Sequence, residues 1–228
     1  MVSYFLKNAL ILPYPHLVLE RLFYLLSVKK TYVALLYSLL KILIGLGLGV
    51  FLGTILGYIA HHYNWFRRLM SPLIESTKAT PIAAITLLLI VWISSQNLSI
   101  IIVLLVILPS VYENVITSLE GIDKKTLEML DVFHVDERKR LRYVYFPNIK
   151  KGLLGVLPFL TGFSFKAGIS GEVLSRPDVS LGTLIYEAKV YIEIKDLLAY
   201  TILLIVISVI IQALIKLIIK RRNGYVRT

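Results

Sequence analysis

Apolar residues fall in five runs along the chain, separated by compact polar blocks. The runs extend from Val33 to Ile59, Pro81 to Ser95, Leu98 to Ser118, Gly152 to Leu174 and Leu197 to Ile219. A helix needs about 20 apolar residues to cross the hydrocarbon core. The pattern therefore predicts an all-α, polytopic membrane protein with about five transmembrane helices, the second one short. Ser94, Ser95, Gln96 and Asn97 read as a tight turn after it, and Pro158 as a kink in the fourth span. Residues 1–31 read as an N-terminal interfacial segment, because Pro13, Pro15, Glu20 and Arg21 interrupt any clean span. A membrane domain covers 32–220, with a charged loop at 122–150, and 221–228 form a basic tail.

The most distinctive polar block is DKKTLEMLDVFHVDERKRLRYVYFP, residues 123–147. Asp123 is placed to cap a helix by accepting from an early backbone N–H. Leu127, Leu130 and His134 share one face at spacings of three and four, with Phe133 beside them. Asp136 and Glu137 put acids at the positive end of a second helix, along which Leu141, Val144 and Tyr145 form an apolar stripe. Pro147 predicts a helix boundary at Phe146. The expected form is helix, tight turn at His134–Val135, helix. Such a segment is either a solvated loop held to headgroups by its arginines or a pair of helices offered to a soluble partner.

Composition supports the membrane reading. The chain has 228 residues, is 57% hydrophobic and has a mean hydropathy of +0.77. Its net charge of +11 comes mostly from Lys and Arg beside apolar runs, which encodes topology and argues against nucleic acid. The loop at 122–151, the tail and the 61–80 loop carry this charge and fall on one side, the expected cytoplasmic side. Residues 1–32 then face outward despite Lys7, Arg21, Lys29 and Lys30, a mild conflict with that rule. There is no cysteine, which excludes disulfides, thiolate metal sites and a cysteine nucleophile. The N-terminus lacks the regions of a cleaved signal peptide.

Within the spans, Gly45, Gly49, Gly53 and Gly57 recur every four residues and predict close helix packing. Whether that contact is internal, between subunits or on a moving surface stays open at this point. Lys166 and Glu172 are the ionisable residues of the fourth span and are candidates for the solute pathway. They are six apart and do not share a helix face. Lys166 could face an anionic solute or serve a buried structural hydrogen bond, and Glu172 could lie at the outer interface. Lys41 can snorkel, and Glu113 lies near an inner span end. His61–His62 reads as an interfacial pair rather than a metal site.

The 123–147 block resembles the cytoplasmic signature of permease subunits in binding-protein-dependent ABC importers of the type I fold. That signature reads Glu-Ala-Ala, three residues, Gly, then a run to an Ile-x-Leu-Pro-like end. Glu128, Met129 and Leu130 occupy the first positions, with Asp131 following; His134 takes the Gly position, and Val144 to Pro147 the close. Around it, LPYP at 12–15 and SLLKILIGLGLG at 38–49 resemble the nitrate/sulfonate/taurine subgroup. So do PLIESTKATPIAAITLLLIVWIS at 72–94 and SFKAGISGEVLSRPDVSLGTLIYEA at 164–188. The likeness is colinear over about 12–220.

The resemblance implies a permease homodimer in the inner membrane of a prokaryote. It implies an extracytoplasmic substrate-binding protein as donor, and a cytoplasmic ATPase subunit that takes Glu128, Met129, Leu130, Asp131, His134 and Pro147 as its coupling contacts. No cofactor is expected on this chain: ATP belongs to the partner, and the chain carries no Gly-Lys-Ser/Thr phosphate loop. Met129 and Leu130, bulkier than alanine, imply a roomier groove on a dedicated ATPase or a helix that sits higher in it. The subgroup's cargo ranges over sulfonates, taurine, nitrate, bicarbonate and pyrimidine vitamin precursors. A non-transporting scaffold that docks a soluble partner fits the same block. An integral membrane enzyme would need a polar cluster that the spans lack.

Overall fold

A computed structural model describes residues 13–224, so the start of the N-terminal segment and residues 225–228 lie outside the described residues. Every regular element among the described residues is helical. They are α1 (Pro15–Ser27), α2 (Lys29–His62), α3 (Asn64–Ala79), α4 (Ile82–Leu89), α5 (Ser95–Glu120), α6 (Lys124–Val132), α7 (Glu137–Arg140), a π turn (Leu141–Tyr145), α8 (Phe146–Ser175), α9 (Leu181–Val190) and α10 (Ile194–Gly224). Four stretches are long and apolar enough to cross a membrane: Lys29–His62, Ser95–Glu120, Glu137–Ser175 and Ile194–Arg221.

The glycine stripe organises the bundle. Gly45, Gly49, Gly53 and Gly57 of α2 lie against Val103, Ile107, Val111 and Val115 of α5. The register advances four residues on both helices, so α2 and α5 run parallel. A Cβ on Gly45 would meet the Ile100 carbonyl oxygen at 2.7 Å, and one on Gly57 the Tyr112 carbonyl oxygen at 2.8 Å. Only bare backbone permits that approach. The stripe is thus an internal contact that fits glycines to β-branched ridges. Gly47 lies off this face, with open space around it.

Parallel neighbours require the chain to return across the membrane between them. The predicted short span at Pro81–Ser95 does not do this alone, because its helix is only the eight residues of α4, about 12 Å long. The chain breaks at Thr80–Pro81, where proline supplies no N–H to continue α3. The return is shared: α3 adds about 24 Å, and together the two exceed the roughly 30 Å core. Much of the predicted polar 61–80 loop is therefore helix. Ion pairs fix its direction, with Arg67 on Glu120 at 2.6 Å and Lys78 on Glu113 at 2.8 Å, so α3 runs antiparallel to α5. Glu113 is neutralised there by Lys78. The predicted turn at 94–97 instead opens α5, with Ser94 at its N-cap and the reversal at 90–93.

Helix α8 runs antiparallel to α5, with Gly152 beside Ser118 and Asn114, and Gly168 beside Val103. Helix α10 closes the far side, where Gln212 lies against Gly162. Residues 175–196, expected as a polar loop, contain α9, whose Leu181, Leu184 and Ala188 are buried in the bundle. At that end α1 is tied to α10 by a two-pronged ion pair, Arg21 Nε to Asp196 Oδ1 and Nη2 to Oδ2 at 2.8 Å. That hydrogen bonding holds the Arg21 guanidinium above its ordinary pKa.

Candidate functional site

Two regions carry the residues singled out in the sequence. The first is the helical hairpin after α5. Asp123 caps α6 and accepts from the Lys125 N–H at 3.3 Å. The C-terminus of α6 closes in a Schellman motif: His134 N–H donates to the Asp131 carbonyl, and Val135 N–H to the Leu130 carbonyl, each at 3.0 Å. His134 sits at φ 47°, the left-handed conformation that suits the glycine usual at such a turn and that histidine tolerates.

The hairpin has an inner and an outer face. Leu130 is 7% exposed and turned into its own subunit, and Leu127 packs on the core beside it. Of the pair Met129–Leu130, only Met129 can meet a partner, so the expectation that both fill a groove is corrected. Met129, Val132 and Phe133, spaced by three and four, share the outer face and are 51%, 74% and 74% exposed. Glu128, Asp131 and His134 are exposed around them.

Pro147 does not end a helix, as expected, but sits inside one. The helix continues from Glu137 to Ser175 because five residues open into a π turn, in which Phe146 N–H reaches back to the Leu141 carbonyl. The wider turn gives the proline ring space that an α-turn denies it. It also shifts the helical phase, so Val144 and Tyr145 face the core while Leu141 is exposed, breaking the stripe expected of the three. Tyr145 meets the rings of Tyr58, His61 and His62 at the end of α2, which anchors the hairpin to the bundle.

Arg140 is a residue that the sequence does not set apart from its neighbours Arg138 and Arg142. Its side chain is 15% exposed and turned back on α6. Nε donates to the Val135 carbonyl at 2.8 Å, Nη2 to the Leu130 carbonyl at 3.0 Å, and Nη1 to Asp131. Its local signal is the three-residue spacing from Glu137, whose carboxylate lies 3.8 Å from Nε, whereas its three closer partners lie across a turn.

The second region is at the opposite end. Glu172 is 0% exposed. One oxygen accepts from Ser38 Oγ at 2.6 Å and from Gly182 N–H at 3.2 Å, and Ser38 Oγ in turn accepts from Leu181 N–H at 2.8 Å. The carboxylate thus ties α2, α8 and the start of α9. It is sealed inside the subunit, so both its expected place at the outer interface and its role as a pathway residue are corrected. Lys166 lies on the other side of α8, exposed in line with Gly155, Phe159 and Ser170. The structure does not bring Lys166 and Glu172 together.

Four likenesses place this architecture. The family model for the inner membrane component of binding-protein-dependent transport systems matches residues 45–224. The riboflavin transport system permease protein RibX of Chloroflexus aurantiacus is 28% identical over 216 residues, covering 91% of this chain and 80% of that one. Among solved structures, an amino acid ABC transporter with histidines superposes with a TM-score of 0.65 at 16% identity, over 82% of this chain and 92% of its own. The MetNI methionine ABC transporter in an inward facing conformation gives 0.58 at 17% identity, over 83% and 93%. The parallel α2–α5 pair, the broken return and the hairpin therefore lie in a known fold, and the chain belongs to the family of inner membrane components of binding-protein-dependent transport systems.

Proposed function

We propose that this chain is the permease subunit of an ATP-driven importer in the inner membrane of a prokaryote. It receives a small solute from an extracytoplasmic binding protein and couples to a separate cytoplasmic ATPase through residues 123–147. The observation that carries this reading is the hairpin tip. Met129, Val132 and Phe133 are large, apolar and exposed, beyond the spans, on a helix whose end is rigidly closed. Apolar groups held out in water on an ordered element mark a protein-binding surface. The strongly basic charge of the surrounding loop supports a cytoplasmic position, where an ATPase would meet it.

A second copy of the chain completes the pathway along the uncovered face of α8. That face carries Lys166, which favours a solute with negative charge or strong acceptors. The segments resembling the nitrate/sulfonate/taurine branch support anionic cargo, and the riboflavin permease relative adds a heterocyclic vitamin to the solutes worth testing.

The test is reconstitution in vesicles with the ATPase that copurifies from native membranes, and with the binding protein. ATP hydrolysis should rise on adding loaded binding protein, and Phe133→Asp should abolish both ATPase binding and import. ATPase binding that survives Phe133→Asp would refute the docking surface, and binding without stimulation would leave a scaffold.

A further inference from the structure

Resting on that docking reading, we propose that Arg140 is the positioning residue that makes the hairpin a rigid lever. Helix α6 is nine residues long and joins α7 through only four, 133–136. Alone, such a junction would hinge. Arg140 spans it with a planar fork that bonds the Leu130 and Val135 carbonyls and the Asp131 carboxylate. The Leu130 carbonyl is an acceptor in the Schellman closure, Val135 is the residue whose N–H donates to it, and the cation also lies at the negative end of the α6 dipole. Arg140 itself is the last residue before the π turn that leads without a break into α8. A push on Met129, Val132 and Phe133 therefore passes through the guanidinium into a membrane-spanning helix, rather than being absorbed in the turn.

The arrangement separates docking from transmission. Met129, Val132 and Phe133, the apolar residues that would meet a partner, are not ones Arg140 bonds; of the exposed residues around them it bonds Asp131. Removing its side chain should leave the tip chemistry intact while freeing α6 to swing. Lysine cannot replace it, because a single ammonium does not reproduce the fork that bridges two carbonyls and a carboxylate. Asp131 matters less, since it is one of three acceptors and is well exposed.

The experiment has two arms. The chain has no cysteine, so a pair introduced at Val132→Cys and Lys150→Cys can carry spin labels without background. The purified permease should show a narrow distance distribution, which broadens in Arg140→Ala and Arg140→Lys but not in Asp131→Ala. In reconstituted vesicles, Arg140→Ala should bind the ATPase within about threefold of wild type. Import should nonetheless fall about tenfold or more, so that more ATP is hydrolysed per solute moved. An unchanged distance distribution overturns the clamp. A parallel loss of binding and import also overturns it, because Arg140 would then only shape the docking face. Should Arg140→Ala not fold, Arg140→Lys carries the same two readouts. Failure of the wild-type permease to bind an ATPase at all would refute the docking reading, independently of the spin-label result.

Discussion

Replacing Gly53 by alanine adds one methyl group where α2 and α5 meet. Its Cβ would lie 2.8 Å from Val111 Cβ, 2.9 Å from Val111 Cγ1 and 3.0 Å from the Leu108 carbonyl oxygen. Carbon atoms prefer about 3.5–4.0 Å, so α2 and α5 must part by roughly 0.7 Å or more. A gap of that size forfeits about a quarter to a half of each contact's attraction, and the glycines on either side share the same ridge. Overpacking of this kind costs about 1–3 kcal/mol. Alanine's helix preference returns at most about 1 kcal/mol. The net expectation is a loss of up to about 2 kcal/mol. Val111→Ala should not restore it, since alanine keeps the offending Cβ and the Leu108 carbonyl cannot move.

Two comparisons make the reasoning refutable. Gly47→Ala meets nothing within 4 Å and should be neutral or stabilising. Gly171→Ala meets only the Ile102 Cδ1 methyl at 2.6 Å, the next atoms of that side chain being at 3.7 Å. Ile102→Val removes that methyl, so the double variant should be better than the sum of the single ones by about 1 kcal/mol. Unfolding in mixed micelles, followed by the fluorescence of Trp65 and Trp92, measures all of these. Equal stability of Gly53→Ala and Gly47→Ala would refute a backbone-limited contact, as would full rescue of Gly53→Ala by Val111→Ala.

Further outcomes follow from single sites. Leu130→Ala should lower stability by about 2–4 kcal/mol, while Met129→Ala leaves stability unchanged and weakens ATPase binding; unfolding and pull-down separate the two. Glu172→Gln should fold with little loss, since it keeps an oxygen for Ser38 and Gly182, whereas Glu172→Leu strands both donors at about 1–3 kcal/mol each, measured by the same unfolding. Ile192, a β-branched residue at φ 59° ending α9, should gain about 1 kcal/mol on replacement by glycine, read as a rise in Tm. Asp196→Ala should release α1 from α10 at about 1 kcal/mol, a modest figure because Arg21 is partly exposed, and protease should then cut near α1 faster.

What was legible in the sequence is what depends on local chemistry. Apolar runs marked the long helices because burial in lipid demands length and apolarity and little else. The four-residue glycine spacing signalled a close contact, and Asp123 and His134 announced a cap and a turn because their roles are set within a few residues. What was hidden depends on partners far along the chain. Glu172 looks like a membrane carboxylate open to function until Ser38 and Gly182 are brought to it from α2 and α9. Pro147 looks like a terminator because the rule that proline ends a helix assumes α geometry, and the π turn relaxes that assumption. The return through α3 and α4 is invisible to a search for apolar runs, because its length is split by Pro81 and its charges are neutralised only by Glu113 and Glu120 of a parallel-paired helix. Arg140 is the clearest case: three arginines and a lysine stand within five residues, and only the turn between α6 and α7 decides which one faces inward. Charge runs therefore name a surface, and the fold selects the one member that holds it in place.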